Sequence, residues 1–188
     1  MIFGGEDEDT CGNRDTWGAA IAASAAVIQA VDAVLSGEAR NALCAVRPPG
    51  HHAGASINSL GAPGNGYCLL NHAALGAKHA AHERGLKRVA VFDFDVHHGN
   101  GTEEIVKGLK PHKVQKPLPD SWPAEFTEVH KPWLDESDGD EVFFGSVHLW
   151  DSKGAFYPGG GGPQESSETI VNVPLSAVGP KPGDVRAR

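Results

Sequence analysis

The chain has few aromatic residues (7%), one methionine, three cysteines and no surplus of positive charge. Cys11, Cys44 and Cys68 are odd in number and form no C-x-x-C pair. That argues against a disulfide framework or a structural zinc knuckle and for a reducing compartment. The formal net charge of −8 argues against a nucleic-acid-binding surface, while it suits a basic ligand such as a lysine-rich peptide. The first residues lack a basic region followed by an apolar one, so no secretory signal is expected. The most apolar stretch, 19–35, is alanine-rich and broken by Gln29 and Asp32. It is expected to be too short and too weakly hydrophobic to span a membrane. No internal repeat is evident. What remains is an ordinary soluble composition over 188 residues, with 40% hydrophobic and 21% charged, enough for one domain with a sizeable core.

Asp15-Thr16 offers an N-cap to an alanine-rich helix ending near Ser36, with Gly37 just past its end. Residues 42–46 read as a buried strand stopped by Arg47-Pro48-Pro49-Gly50. Asn71 caps a second predicted helix that runs to about Arg84, with Gly85 closing it. Strands are expected at 88–94, 141–148 and 169–174, and a short helix at 102–109. Strands alternating with helices predict an α/β domain with a largely parallel sheet. Residues 111–139 break the pattern. Pro111, Pro117, Pro119, Pro123 and Pro132 interrupt regular structure there, so the segment reads as an inserted surface excursion, with Trp122 and Trp133 anchoring it to its own domain.

The chemistry concentrates in Asp93-Phe94-Asp95-Val96-His97-His98-Gly99-Asn100-Gly101. If extended geometry continues past the strand, Asp93, Asp95 and His97 project to one side. Carboxylate oxygen and imidazole nitrogen are ligands for zinc or a similar divalent ion. Gly99 and Gly101 let the backbone turn and approach closely. His51-His52 can supply a general base and a general acid. Asp93 can orient an imidazole. A metal-activated water beside such a pair suits amide hydrolysis. Ligand sites in α/β sheets lie beyond the carboxyl ends of strands, where His51-His52, Asp93-Asp95-His97 and Ser146-His148 are all expected, which suggests one shared crevice. His79 and His82, one helical turn apart, read as exposed helix histidines, Cys68 as a small buried hydrophobe, and Gly159–Gly162 as a flexible loop at a channel rim.

Five motifs resemble, in order, those of the zinc-dependent histone deacetylase family. They are Arg47-Pro48-Pro49-Gly50-His51-His52-Ala53, Gly66-Tyr67-Cys68-Leu69-Leu70-Asn71, Asp93 through Thr102, Ser146-Val147-His148, and Phe156-Tyr157-Pro158-Gly159. The match spans most of residues 10–175. It implies a three-layer, arginase/deacetylase-like α/β domain. It also implies Asp95 and His97 as two of three zinc ligands, and His51 and His52 as the tandem histidines that handle protons at the attacking water and the leaving amine. Asp93 is similar to the acidic partner of the first histidine. Asp93, Asp95, His97, Ser146 and Val147 resemble the ligands of a structural monovalent cation, such as potassium. Gly66 and Tyr67 resemble one wall of an acyl-lysine channel and Tyr157, where the family usually has Phe, the other. Asn100, in the place of the Asp frequent in class I, and the Arg-Pro-Pro-Gly motif both resemble class II.

The resemblance implies a protein-lysine deacetylase, intracellular in the nucleus or cytoplasm. Its partners would be an acetylated lysine peptide, from a histone tail or another protein, and corepressor-type proteins, with no nucleic acid or membrane. The family's third zinc ligand, in a Ser-Ala-Gly-Phe-Asp-type motif, and its late Gly-Gly-Tyr motif do not occur in these residues. The chain is therefore expected to be a partial catalytic domain, residues 1–188, incomplete at both ends and inactive alone. An acetylpolyamine or other small-amide deacetylase, and a non-catalytic remnant acting as an interaction module, are the rival expectations.

Overall fold

The computed structural model describes residues 10–55, 65–115, 123–177 and 185–187. The alanine-rich run forms helix α1, Thr16–Leu35, as its propensity dictates. Its cap differs from expectation. The Asp15 side chain makes no capping bond, and the Asn13 carboxamide oxygen instead accepts from the backbone N–H groups of Asp15 (2.8 Å) and Thr16 (3.1 Å). Gly37, at φ +80°, closes the far end. Among the described helices α1 alone is long and apolar enough, by length and composition, to cross a membrane, which corrects the expectation that it is too short and too weakly hydrophobic. Polar anchors dock it on α2, His72–His82. Asp32 Oδ1 accepts from His79 Nε2 (2.6 Å) and Arg84 Nε (2.8 Å), and Ser24 Oγ meets His72 Nδ1 at 2.8 Å.

Residues 42–46 form no strand, contrary to expectation, and Leu43 is 94% exposed. Apolar composition alone does not make a strand, because each backbone N–H and C=O needs a ladder partner. The strands of the main sheet are β1 (Val89–Asp93), β4 (Val142–Leu149), β5 (Ile170–Ala177) and β6 (Val185–Ala187). Their order is β1-β4-β5-β6, with β1, β4 and β5 parallel and β6 antiparallel to β5. The expected largely parallel α/β sheet is thus present.

Helix α3, Asn100–Gly108, covers one face of this sheet. Val106 and Leu109 pack there with Val142, Phe144 and Ile170, all at most 4% exposed. Each such burial is worth roughly 1.5–3 kcal/mol. The alternate positions point the other way. Phe92 is 63% exposed, Phe94 82% and Phe143 37%, and β1, whose apolar run Val89–Phe92 reads from sequence as a buried strand, is half-exposed.

The inserted stretch is more regular than its prolines suggest. β2 (His112–Gln115) and β3 (Phe126–Val129) pair as an antiparallel ribbon, followed by a single turn, α4 (Asp138–Glu141). Pro111 and Pro132 fall outside both strands, where a missing donor costs no ladder bond. Trp133 packs against the core cluster and anchors the segment. Trp122, Pro117 and Pro119 lie outside the described residues.

Candidate active site

The site forms where β1 ends. Extended geometry stops at Asp93, so strand alternation is not what gathers the acidic residues. Two successive side-chain turns do it. The Asp95 N–H donates to Asp93 Oδ1 (3.0 Å), and the His97 N–H donates to Asp95 Oδ1 (2.8 Å). Short polar side chains bend the backbone in this way at the cost of the strand.

The tandem histidines come from a turn tied to two helices. The Asn71 side chain accepts from Ala74 N–H (3.0 Å), capping α2. Its Nδ2 donates to Ala53 O (3.0 Å) and Thr102 Oγ1 (2.9 Å), so one buried amide joins α2, the histidine turn and α3. Each histidine then meets its own partner. His51 Nδ1 lies 2.8 Å from Asp93 Oδ2, and His52 Nδ1 2.7 Å from Asn100 Oδ1. The two rings lie 3.9 Å apart between centroids.

Burial and the neighbouring positive charge of His51 push the His52 imidazole down to about 4, against the opposing hydrogen bond to Asn100. Burial pushes the Asp93 carboxyl up, but the hydrogen bond and charge of His51 outweigh it and hold the carboxyl below its ordinary value. Two glycines are required by close approach. A Cβ on Gly66, at φ +50°, would lie 2.3 Å from His52 Cδ2, and one on Gly99 2.1 Å from Asp93 Oδ2.

Asp95 Oδ1 and His97 Nδ1 stand 3.2 Å apart, both about half exposed. A hydrogen bond fits that distance. So does a shared tetrahedral ion, since two ligands roughly 2.0–2.2 Å from zinc stand a little over 3 Å from each other. The pair therefore fits two positions of a metal. Among the described residues no group of three or more His, Cys, Asp or Glu side chains converges to hold one. His51 Nε2 lies 4.0 Å from Asp95 Oδ1, so the first histidine faces this pair.

Tyr157 stands edge-on to His52 (centroids 4.9 Å, 86°) and to His97 (5.8 Å, 83°). Tyr67, 56% exposed at φ +66°, lines with it a cavity of about 370 Å³. The same cavity is lined by His51, His52, Gly66, Asp95 and His97. Arg47 also lines it. Read from sequence as part of a strand stop and of the Arg-Pro-Pro-Gly motif, Arg47 is the one Lys or Arg lining this cavity among the described residues.

Ser146 and His148 lie within β4 rather than beyond its end. Register still sets Ser146 beside Asp93, and the Leu149 N–H donates to Val96 O (2.9 Å), drawing the end of β4 to the Asp95–His97 turn. The candidate cation ligands Asp93, Asp95, His97, Ser146 and Val147 therefore share one neighbourhood. The Ser146 hydroxyl is engaged with His148 Nδ1 at 2.9 Å.

Three other expectations resolve here. Cys68 is fully buried, and burial pushes its thiol up to about 11, as befits an inert core residue. His79 and His82 are part-buried rather than exposed. His79 bonds Asp32, and His82 Nε2 faces Asp138 Oδ1 at 4.0 Å, so the two point to different neighbours. The glycine loop is not slack, since Gly161 and Gly162 are buried and both of their N–H groups donate to Glu165 Oε1. Sequence reading missed Glu165, as it missed the buried His98–Glu103 pair.

A family model described as histone deacetylase domain matches residues 2–185. Type-2 histone deacetylase 2 of Dictyostelium discoideum is 40% identical over 162 residues, which cover 85% of this chain and 8% of that protein. Polyamine deacetylase HDAC10 of Mus musculus is 42% identical over 128 residues, covering 68% of this chain and 18% of that protein. The crystal structure of the HDA15 HD domain superposes with a TM-score of 0.65 at 31% identity, covering 94% of this chain and 40% of that one. The chain thus spans a small part of the curated relatives it matches.

Proposed function

Because the chain belongs to the histone deacetylase domain family, we propose that it contributes the proton-handling half of a zinc-dependent protein-lysine deacetylase site of class II type. That site hydrolyses acetyl-lysine amides to lysine and acetate. The observation that carries this reading is the pair of histidines with unlike partners, Asp93 at 2.8 Å and Asn100 at 2.7 Å, beside the Asp95–His97 pair.

Asp95 and His97 would hold zinc, which when bound supplies Lewis-acid polarisation of the amide carbonyl. The chain's own residues do the rest. The Asp93 carboxylate at Nδ1 stabilises an imidazolium at His51, so the proton taken from the attacking water resides there and passes from Nε2 to the leaving amine. Asn100 gives His52 a hydrogen bond without a charge, and burial keeps that ring neutral. His52 thus orients the water as an acceptor. Tyr67 and Tyr157 flank the lysine stem, whose charge acetylation removes. Asp93, Asp95, His97, Ser146 and Val147 would hold a structural potassium ion.

The natural substrate in this reading is an acetylated lysine peptide inside the nucleus or cytoplasm, with corepressor-type partners and neither nucleic acid nor membrane. A second reading, a deacetylase of polyamines or other small amides, is supported by the 42% identity to the mouse protein named polyamine deacetylase HDAC10.

The test assays acetate release by the full-length protein from an acetyl-lysine peptide and from an N-acetylated polyamine. Elemental zinc is measured in parallel for wild type, Asp95→Ala and His97→Ala. Peptide turnover, with zinc lost in both variants, is the expected result. Faster turnover of the polyamine selects the second reading, and stoichiometric zinc in both variants removes the ligand assignment.

A further inference from the structure

Behind the site lies a buried polar chain that the proposed chemistry does not use. Glu103, on the first turn of α3, is fully buried. Its Oε2 accepts from His98 Nε2 and from Asn172 Nδ2, each at 2.7 Å, and its Oε1 pairs with the Lys107 ammonium. Burial pushes the Glu103 carboxyl up, but the hydrogen bond and charge of His98, with the Lys107 ammonium, outweigh it and hold the carboxyl at about 2. The His98 ring, 1% exposed, lies against that of His148, with centroids 4.6 Å apart.

Both rings carry the backbone of the glycine loop. His148 Nε2 donates to Gly161 O at 3.0 Å. A Cβ on Gly161, at φ +85°, would lie 2.4 Å from His148 Nε2 and 2.7 Å from His98 Cγ. No side chain fits between this loop and the two rings. Four residues earlier the same segment carries Tyr157, and His98 directly follows His97.

We propose that Glu103 is a positioning residue for the substrate channel. Through His98 and His148 it fixes the 157–162 loop, and with it the Tyr157 wall, at a set distance from the Asp95–His97 turn. His98 is the joint, since one end of its ring is held by α3 and its flank supports the loop. A buried carboxylate with three partners is costly to assemble unless each is satisfied, and once satisfied it resists displacement. This inference rests on the deacetylase reading for its kinetic consequence but not for its structural one.

The experiment compares wild type, Glu103→Gln and Glu165→Ala in the full-length protein. Hydrogen exchange is followed over peptides spanning 156–166 and 142–147, together with steady-state kinetics on an acetyl-lysine peptide. Glu103→Gln keeps the shape but removes the charge that holds His98 and Lys107. Exchange at 156–166 should rise at least fivefold with β4 unchanged, and KM should rise about five- to tenfold with kcat within twofold. Glu165→Ala frees the same Gly161 and Gly162 N–H groups from the loop side and should give the same pattern.

Wild-type exchange at 156–166 in Glu103→Gln overturns the proposal, as does a uniform rise that includes β4. If Glu103→Gln does not fold, Lys107→Met decides, being partly exposed and loosening the same carboxylate. A smaller rise confined to 156–166 supports the proposal, and unchanged protection there overturns it. If the wild type does not deacetylate the peptide, the function reading fails while the exchange result still decides this one.

Discussion

At the scale of the residue, the informative asymmetry lies between the two histidines. They are adjacent in sequence and touch, yet one has an anionic partner and the other a neutral one. In the full-length protein His52→Ala should lower turnover on an acetyl-lysine peptide by about 10²-fold, because the attacking water loses the acceptor that orients it. The thermal midpoint should stay within a few degrees. Gross unfolding, or near-normal turnover, would make His52 a packing residue. Asn100→Asp tests the partner. A carboxylate at Nδ1 should raise the His52 titration above about 4, toward the ordinary imidazole range, as read by NMR titration of the ring. The sign for stability follows. A folded value below the unfolded one means that the unfolded state binds more protons between about 6.5 and about 4, so wild type loses stability as pH falls through that window. Asn100→Asp should lose less there, and a larger loss would refute the assignment of the depressed value to a neutral pocket.

The elements hold one another through a few polar contacts placed at helix ends and turns. Helix α1 shows this best, since its apolar surface is only partly covered and Trp17 and Ile21 are about half exposed. Its docking on α2 depends on Asp32, which takes hydrogen bonds from both Arg84 and His79. The Arg84 and then the His79 hydrogen bonds lower the Asp32 carboxyl to about 2. Its stabilising contribution is therefore present above the ordinary carboxylate range and fades as pH falls from about 4 toward about 2. Asp32→Asn should lower the thermal midpoint at neutral pH, with the gap to wild type narrowing across that acid window. A gap of constant size would show that the clamp acts through shape alone. The β2–β3 ribbon is tied down differently, through Trp133 on the core and the Lys131 N–H bonded to Gly108 O.

Across the whole molecule, the two faces of the sheet differ. One is closed by α3, while Phe92, Phe94 and Phe143 stand on the other with 63%, 82% and 37% of their surface exposed. A contiguous apolar face of this kind drives association. The 188-residue chain should therefore self-associate and bind a hydrophobic dye, and Phe94→Lys should reduce both in sedimentation and fluorescence measurements. Identical behaviour of the variant would show that this face is not what drives association. With two converging metal donors among the described residues, the same chain should hold zinc weakly. It should turn over an acetyl-lysine peptide poorly beside an Asp95→Ala control, and robust Asp95-dependent turnover by the monomer would contradict this.

The sequence by itself determined helices α1 to α3, the three parallel strands and the chemical inventory, because those rest on local signals. An alanine run favours helix, Asn71 caps the turn that follows it, and Val89–Asp93 and Val142–Leu149 alternate toward a core. It also set the order of the motifs, and so the family. Only the tertiary structure decided which histidine meets which partner, since His51–Asp93 and His52–Asn100 join residues 42 and 48 positions apart. Periodicity carries no information at that range. Tertiary structure likewise put side-chain turns in place of an extended Asp93–His97 run, left 42–46 without a ladder, and seated the glycine loop on two buried imidazoles. Except at the Asp93–His97 turns, whose hydrogen bonds span two residues, the outcome turned on a partner from a distant segment or the lack of one. A strand without a neighbour has nowhere to send its backbone groups, and a loop of glycines is rigid when buried donors and acceptors hold it.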